Sequence, residues 1–495
     1  MTRILFGLMV GALSALAFPF AVPGFGDGPL FEWLPREVFL LAGVAYLYRG
    51  REPFAAGLGF FSVLLWWLSI AMIRYGGMPP WQALPALVLL VAYCAAYWAL
   101  IPRLSALAVR VVHPYLAFAA AVLTVDWLRG WVIAAFPWGE WSWAMARDLP
   151  LVQLAAVGGS HAVTAVVALC GAAIGDMRGR PWSSAVVGLL VALIHLAGGI
   201  RMFYPGTDGQ TLRVGLLQGN IAQDIKNRDL DNAVTIRATY EELSKRAQGE
   251  GAQLVVWPEA AWPGRPDPRI ALFPFATGTV PMIVGAATLR FEDGGSVVTN
   301  SAFAVGPDGT VLGRHDKIAL VPFGEYVPLA RLLAVSAIVP ELGEVSAGRR
   351  TDPIGTMQAG ALVCYDGIFP AISRNLALHG SRLLVNITND AWYGASSGPY
   401  QHRDAYVLRA VETDRWVARA TNTGISTIID PRGRVRGQTS LGEQTVLTGD
   451  VGLRDSLTVY VRAGDVVVWL ALIAVGVGFI RLVDRATVRR VMSSA

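Results

Sequence analysis

Charge is scarce in this chain. Only 16% of its 495 residues are Asp, Glu, Lys or Arg, against 54% hydrophobic ones, and the mean hydropathy is +0.46. That balance excludes an ordinary soluble protein and a disordered one, and indicates a membrane protein with room for two or three domains. Cysteine is scarcer still: Cys94, Cys170 and Cys364 are the only three. Two of them, Cys94 and Cys170, fall in apolar segments, so no disulfide framework is available. The six histidines show no metal-ligand spacing, and neither a metal nor a nucleotide is implied. Positive charge is also missing where a nucleic acid would need it. The formal charge is +5 overall, yet residues 205–460 hold 24 Lys and Arg against 26 Asp and Glu, a net of −2.

The excess arginines instead mark topology. Residues 4–20 are apolar behind Arg3, and Ala15-Leu16-Ala17 looks like a signal-peptidase site. We read this segment as a retained helix, because further apolar segments follow at 37–48, 54–73, 84–101, 111–128, 151–175 and 183–203. One more lies at 464–480. Arg3, the pair Arg49 and Arg51, the pair Arg103 and Arg110, and the pair Arg178 and Arg180 sit in alternate connections. Arg481, Arg485, Arg489 and Arg490 follow the last segment. Eight spans with all these arginines inside satisfy the positive-inside rule. The expectation is a membrane domain of about seven helices over 1–204, an extracytoplasmic domain over 205–460, and a last helix with a short basic tail over 461–495. Both termini are then cytoplasmic.

Between spans, the stretch FPWGEWSW holds Trp138, Trp141 and Trp143. It reads either as an aromatic belt at the interface or as one wall of a lipid-facing cleft. Ser160 and His161 are sequence neighbours, about 100° apart on a helix, and cannot pair as nucleophile and base. His195 reads as a packed or hydrogen-bonded residue within its span.

From about 205 the texture changes to short β-rich runs separated by Gly, Pro and Asp. Strands are expected at Leu212–Leu217, Gln253–Trp257, Met282–Ala287, Ser301–Val305, Gly360–Cys364, Leu383–Thr388, Val417–Thr421 and Ser426–Ile429, with helices at Asn232–Gln248 and His402–Asp414. This alternation describes one α/β domain whose sheets are covered on both faces.

Three stretches in it combine an ionisable residue with rigid punctuation. VVWPEAAWP carries Glu259, RHDKIALVPFGEYVP carries Lys317 and Glu325, and AGALVCYDGIFP carries Cys364. Each residue ends an apolar run, where strand ends project side chains into a crevice. A strand that stops at a nucleophile before a helix exposes a reactive atom and leaves backbone N–H groups near it. Together the three groups suffice for acyl transfer: a thiol to attack, a carboxylate to move the proton, an ammonium to stabilise the oxyanion. Taken singly, the cysteine also reads as a buried structural residue and the charged residues as surface ion pairs.

WPE, then K-x7-E in its PFGE context, then CY, resembles the nitrilase superfamily with its Glu-Lys-Cys triad. QGNI at 218–221, VPFGEYVP at 321–328, TNDAWYG at 388–394, GPYQH at 398–402, RAVETDR at 409–415 and RATNTGIS at 419–426 narrow this. With the membrane frame, the whole chain resembles the bacterial apolipoprotein N-acyltransferases.

That resemblance implies a multi-span membrane domain with an extracytoplasmic αββα sandwich, in the bacterial inner membrane. It implies Glu259 as base, Lys317 as triad lysine and Cys364 as the nucleophile that becomes a thioester. Glu325, Tyr365 and Asp366 take supporting roles, and Trp392, Tyr393 and Trp138 touch substrate. It implies a monomer without cofactor. Such a monomer moves an acyl chain from a phospholipid, phosphatidylethanolamine, to the α-amine of a diacylglyceryl-cysteine. Two positions depart from the family: Asp366 stands where Glu is usual, and Asn227 where Trp is usual. A membrane-tethered amidase and a non-catalytic lipid- or lipoprotein-binding homologue are the alternatives. A transporter is disfavoured, because the spans hold few ionisable residues and no internal repeat.

Overall fold

The computed structural model describes all residues except 25–28, 31–34, 205, 207, 227–230, 274–277, 293–294, 327–344 and 495. It divides into two units. One comprises residues 1–22, 28–203 and 463–495, and the other residues 23–27 and 204–462.

The first unit is helical. Among the described residues four helices are long and apolar enough to cross a membrane: Pro80–Ala108, Ala155–Gly175, Pro181–Phe203 and Val466–Arg485. A fifth span is possible if Pro53–Leu64 and Leu68–Tyr75, bent by 59°, are counted together. The remaining expected segments are shorter helices, Thr2–Ala15, Glu37–Tyr48 and Pro114–Arg129, of 14, 12 and 16 residues. At 1.5 Å per residue each falls short of a hydrocarbon core of about 30 Å. The segment expected at 151–175 is broken at Gly158 and Gly159, the latter at φ +72°, a backbone state that glycine reaches without a Cβ clash. Pro181–Phe203 exposes Trp182, Val186, Leu189, Leu193, Leu196 and Ile200, the pattern of a helix facing lipid.

The tryptophans of FPWGEWSW correct the belt and cleft-wall expectations. Trp138, Trp141 and Trp143 are all fully buried. Trp138 packs on Trp67 and Trp143 at ring separations of 5.0 and 5.7 Å, and Trp141 packs edge-on against Trp98. Buried Arg129 donates to the carbonyls of Phe136 and Trp138 and pairs with Asp126. The stretch is therefore folded into its own unit. Ser160 donates to Glu140, and His161 Nδ1 lies 3.1 Å from Asp465. His195 bonds the Val191 carbonyl and Asp148.

The second unit is an αββα sandwich. Its strands are β1 (Thr211–Gln218), β2 (Leu254–Val256), β3 (Met282–Glu292), β4 (Gly295–Val305), β5 (Val311–Asp316), β6 (Ala359–Val363), β7 (Leu383–Thr388), β8 (Val417–Thr421), β9 (Thr427–Ile429), β10 (Val435–Gln438) and β11 (Thr445–Gly452). One sheet runs β11-β1-β2-β3-β4-β5 and the other β10-β9-β8-β7-β6. Period-2 alternation builds the layers. Leu212, Val214 and Leu216 of β1 join Val363, Val385 and Ala418 in a core that both sheets share. Leu217, Val255 and Trp257 join Ile236, Tyr240 and Leu243 of the helix Ala233–Gly249. The helices Pro370–Leu378 and Gly398–Thr413 lie against the second sheet.

Three strands were not expected. β5 and β10 carry Gly and Arg within four to six residues, and β11 carries Gly and Asp, so none has the apolar run of a covered strand. β11 is held by eight antiparallel pairs with β1, more than 220 residues away in sequence, a constraint that no local pattern reports. β3 and β4 extend past their apolar parts into an eleven-pair ladder.

Gly285 of β3 sits directly under the turn that carries Glu259. A Cβ there would meet the Pro258 carbonyl oxygen and come within 2.8 Å of Glu259 Cα. Gly285→Ala should therefore displace the Glu259 backbone and cost about 1–3 kcal/mol. Gly249→Ala, into open space, should leave the melting temperature unchanged. A thermal melt of the two variants checks both.

Candidate active site

Three turns at strand ends converge. The first follows β2, where Trp257-Pro258 leads into Glu259, and Ala260 takes a left-handed backbone at φ +45°. The second follows β5, whose last residue precedes Lys317. The third follows β6, where extended Val363 hands over to Cys364 at φ +50° and a short 3-10 turn, Cys364–Ile368. A left-handed non-glycine residue costs about 1–3 kcal/mol, so two of the three turns are strained and held by their surroundings.

Those surroundings are hydrogen bonds. Glu259 Oε1 accepts from Asn300 Nδ2 at 2.6 Å, and Oε2 accepts from the Asn389 backbone N–H at 2.9 Å. Lys226 Nζ donates to the Glu259 carbonyl at 2.9 Å. Asn300 also accepts the Lys317 backbone N–H through its own carbonyl at 2.8 Å, so one residue of β4 fixes both the carboxylate and the lysine. Lys317 Nζ donates to Glu325 Oε1 at 2.8 Å and lies 3.5 Å from Glu259 Oε1. Glu325 Oε2 accepts the Val321 N–H at 2.8 Å, closing the loop on its own start.

Asp366 joins the second turn to the third. Its Oδ1 accepts the N–H groups of Ile318 and Ala319 at 3.0 and 2.7 Å, and its Oδ2 that of Val363 at 3.0 Å. The residues after Lys317 and the residue before Cys364 thus share one fully buried carboxylate. Tyr406 donates to the Cys364 carbonyl at 3.0 Å, and Tyr365 stacks edge-on against Phe369.

Lys317 is 1% exposed, Cys364 6% and Glu259 7%, so the charged pair is not a surface ion pair. Burial pushes the Lys317 ammonium down, but Glu325, the Cys364 sulfur and Glu259 outweigh it and hold the lysine well above its ordinary range. Burial pushes the Cys364 thiol strongly up and the Glu259 carboxylate adds to this, with Lys317 and a hydrogen bond from Thr388 opposing. The resting site therefore holds a neutral thiol beside a permanent ammonium.

Of the residues anticipated from sequence, Glu259, Lys317, Glu325, Cys364, Tyr365 and Asp366 come together here. Half-buried Tyr393 is close enough to interact with the Cys364 and Glu259 charges. Trp392 is 37% exposed, and Trp138 belongs to the helical unit. Asn227 lies outside the described residues. Asn300, Asn389, Lys226 and Thr388 were missed; Asn389 and Thr388 lie inside TNDAWYG, which carries the family resemblance and from which only Trp392 and Tyr393 were expected at the site.

Removing the lysine tests the charge balance. Lys317→Met leaves a buried carboxylate, Glu259, and a half-buried one, Glu325, without their cation and should cost about 3–5 kcal/mol. A group whose folded pKa is raised stabilises fully below its unfolded pKa, about 10.4 for lysine. The destabilisation should therefore be equal at about pH 7 and pH 9. A loss that shrinks at the higher pH would mean that burial depresses the lysine instead.

Two family descriptions match the chain. Residues 213–456 match Carbon-nitrogen hydrolase, and residues 10–173 match the Apolipoprotein N-acyltransferase N-terminal domain. The protein named Apolipoprotein N-acyltransferase from Geobacter metallireducens is 37% identical over 486 residues, covering 94% of this chain and 92% of that one. The protein of the same name from Gloeobacter violaceus is 34% identical over 501 residues, with 94% and 91% covered. On these matches, which run through both units, the chain belongs to the apolipoprotein N-acyltransferase family.

Proposed function

We propose that the protein is an N-acyltransferase of the bacterial inner membrane that works by a two-step, ping-pong mechanism on Cys364. The donor is a phospholipid, phosphatidylethanolamine, through its sn-1 chain. The acceptor is the α-amine of the diacylglyceryl-cysteine at the N-terminus of an apolipoprotein. The observation that carries the reading is the Lys317 ammonium between Glu259 and Glu325, beside a cysteine held in a strained elbow.

In the first step Sγ of Cys364 attacks the ester carbonyl carbon while Glu259 takes the thiol proton. The C–S bond forms and the ester C–O bond breaks. Glu259 then returns the proton to the departing glycerol oxygen, releasing a lysophospholipid. In the second step the neutral α-amine attacks the thioester. The C–N bond forms, the C–S bond breaks, and the amine proton passes through Glu259 to the leaving sulfur. Lys317 stabilises the oxyanion in both steps. A neutral resting thiol suits this order, since its proton leaves only as the carbonyl arrives. The alternating arginines put the catalytic unit outside the cytoplasm and both termini inside; a monomer suffices.

The test is intact-mass spectrometry of the full-length protein incubated with phosphatidylethanolamine, beside Cys364→Ala. The expected result is a hydroxylamine-sensitive gain of one acyl chain with matching lysophospholipid, absent from the variant. Free fatty acid without an adduct acceptor product would indicate an amidase-like hydrolase. A folded protein that forms no adduct would overturn the reading.

A further inference from the structure

The motifs TNDAWYG, GPYQH and RATNTGIS converge on a buried network beside the nucleophile that the two steps above leave unused. β6 and β7 run parallel with Val363 opposite Ile387, so the next residues, Cys364 and Thr388, leave the sheet side by side. The Thr388 hydroxyl lies close enough to the Cys364 sulfur to favour its thiolate, and it donates to Asp390 Oδ1 at 3.2 Å. Asp390 is held twice more: Arg419 Nη2 donates to Oδ2 at 2.7 Å, and His402 Nδ1 lies 2.9 Å from Oδ1. Thr388, His402 and Arg419 are fully buried, and Asp390 is 1% exposed.

The donors can be assigned. A carboxylate only accepts, so the shorter contact of His402 Nδ1, 2.9 Å to Asp390, calls for a proton on that nitrogen, with Arg419 Nη2 standing farther from it at 3.2 Å. Burial pushes the Asp390 carboxyl up, but Arg419 and His402 outweigh burial and hold it below the usual range. Asp390 is therefore an anion whose needs His402 and Arg419 already meet. The Thr388 hydroxyl has one proton and two claimants. While Cys364 is a thiol, the Thr388 proton points at Asp390. Once the sulfur has lost its proton, the hydroxyl can turn and donate to it at little cost to Asp390.

We propose that Thr388 is a rotating hydrogen-bond donor to the Cys364 sulfur, and that Asp390, fixed by His402 and Arg419, is the positioning residue that sets the rotor. The proposal rests on Cys364 being the nucleophile. Negative charge develops on this sulfur twice per cycle, when the thiol is deprotonated and when the thioester is broken. A donor that serves the anion but not the thiol favours both events.

The sulfur is also faced by Glu259, Lys317, Asp390, Tyr393 and Tyr406, and by Tyr365 and Asp366 of its own turn. Changing Thr388 alters none of these, so a change in the pH profile of the thiol reads the hydroxyl. Thr388→Val keeps the shape and removes the hydroxyl; Thr388→Ser keeps the hydroxyl. The measurement is the rate of Cys364 alkylation by iodoacetamide between about pH 7 and pH 10, followed by intact mass on a Cys94→Ala, Cys170→Ala background. A hydrogen bond to an anion is worth about tenfold or more in thiolate population. The valine variant should therefore react about tenfold more slowly at every pH in this range, and the serine variant should stay within about twofold of the parent. A valine variant with the parent's profile, or a serine variant as slow as the valine one, overturns the proposal. If the valine variant fails to melt cooperatively, Thr388→Ala takes its place with the same outcomes. Alkylation needs neither lipid nor acceptor, so a failed acyl adduct with this split intact would sink the transferase reading alone.

Discussion

The catalytic unit is arranged around one buried cation. Lys317 has two carboxylates for neighbours, and taking any of these charges out of water costs several kcal/mol before the partners repay it. One ammonium does not balance two carboxylates, so the remainder has to come from N–H dipoles. It does: Asn300 and the Asn389 N–H serve Glu259, and the Val321 N–H serves Glu325. Those donors come from β4, from the end of β7 and from the loop after β5. The sheet order that brings these ends together is thus a condition for burying the lysine at all.

The same electrostatics dictate how the cysteine behaves. A resting thiolate would be a third anion around one cation in a site closed to water. Burial and Glu259 together outweigh Lys317, and the thiol stays neutral. Sulfur reactivity follows the thiolate, so the neutral form is the less readily oxidised one. The Glu259 carboxylate that adds to this effect is itself held by two hydrogen bonds, from Asn300 and from the Asn389 N–H.

Much of this was legible in the sequence because the catalytic unit obeys local rules. Leu383–Thr388 and Val417–Thr421 read as strands to the residue, since both are buried on two faces and, Arg419 apart, have only apolar or small polar side chains. Glu259 and Cys364 stood out because each ends such a run, whereas Lys317 follows β5, which is no such run. The tryptophans of FPWGEWSW misled for a physical reason: an interfacial belt and a packed aromatic cluster have the same composition, and only Arg129, which holds the stretch's carbonyls, distinguishes them. Gln218 and Asn422 illustrate the opposite gap. Gln218 accepts from Thr421, Ser426 and Thr439, while Asn422 bonds the Ile221 backbone in both directions and also Asn389. Motif residues that signalled chemistry are there as staples between the two sheets.

Asp366 shows why a motif departure need not be a functional one. Its expected deficit was one methylene of reach. In the folded protein the backbone supplies that reach: Ile318, Ala319 and Val363 bring their N–H groups to the carboxylate, with three bonds of 2.7–3.0 Å. What is left short is on the other side. His315 Nε2 is buried without a hydrogen-bond partner and stands 3.7 Å from Asp366 Oδ2, beyond bonding distance. Asp366 thus ties the residues after Lys317 to the residue before Cys364 and stops short of a bond to the neighbouring histidine.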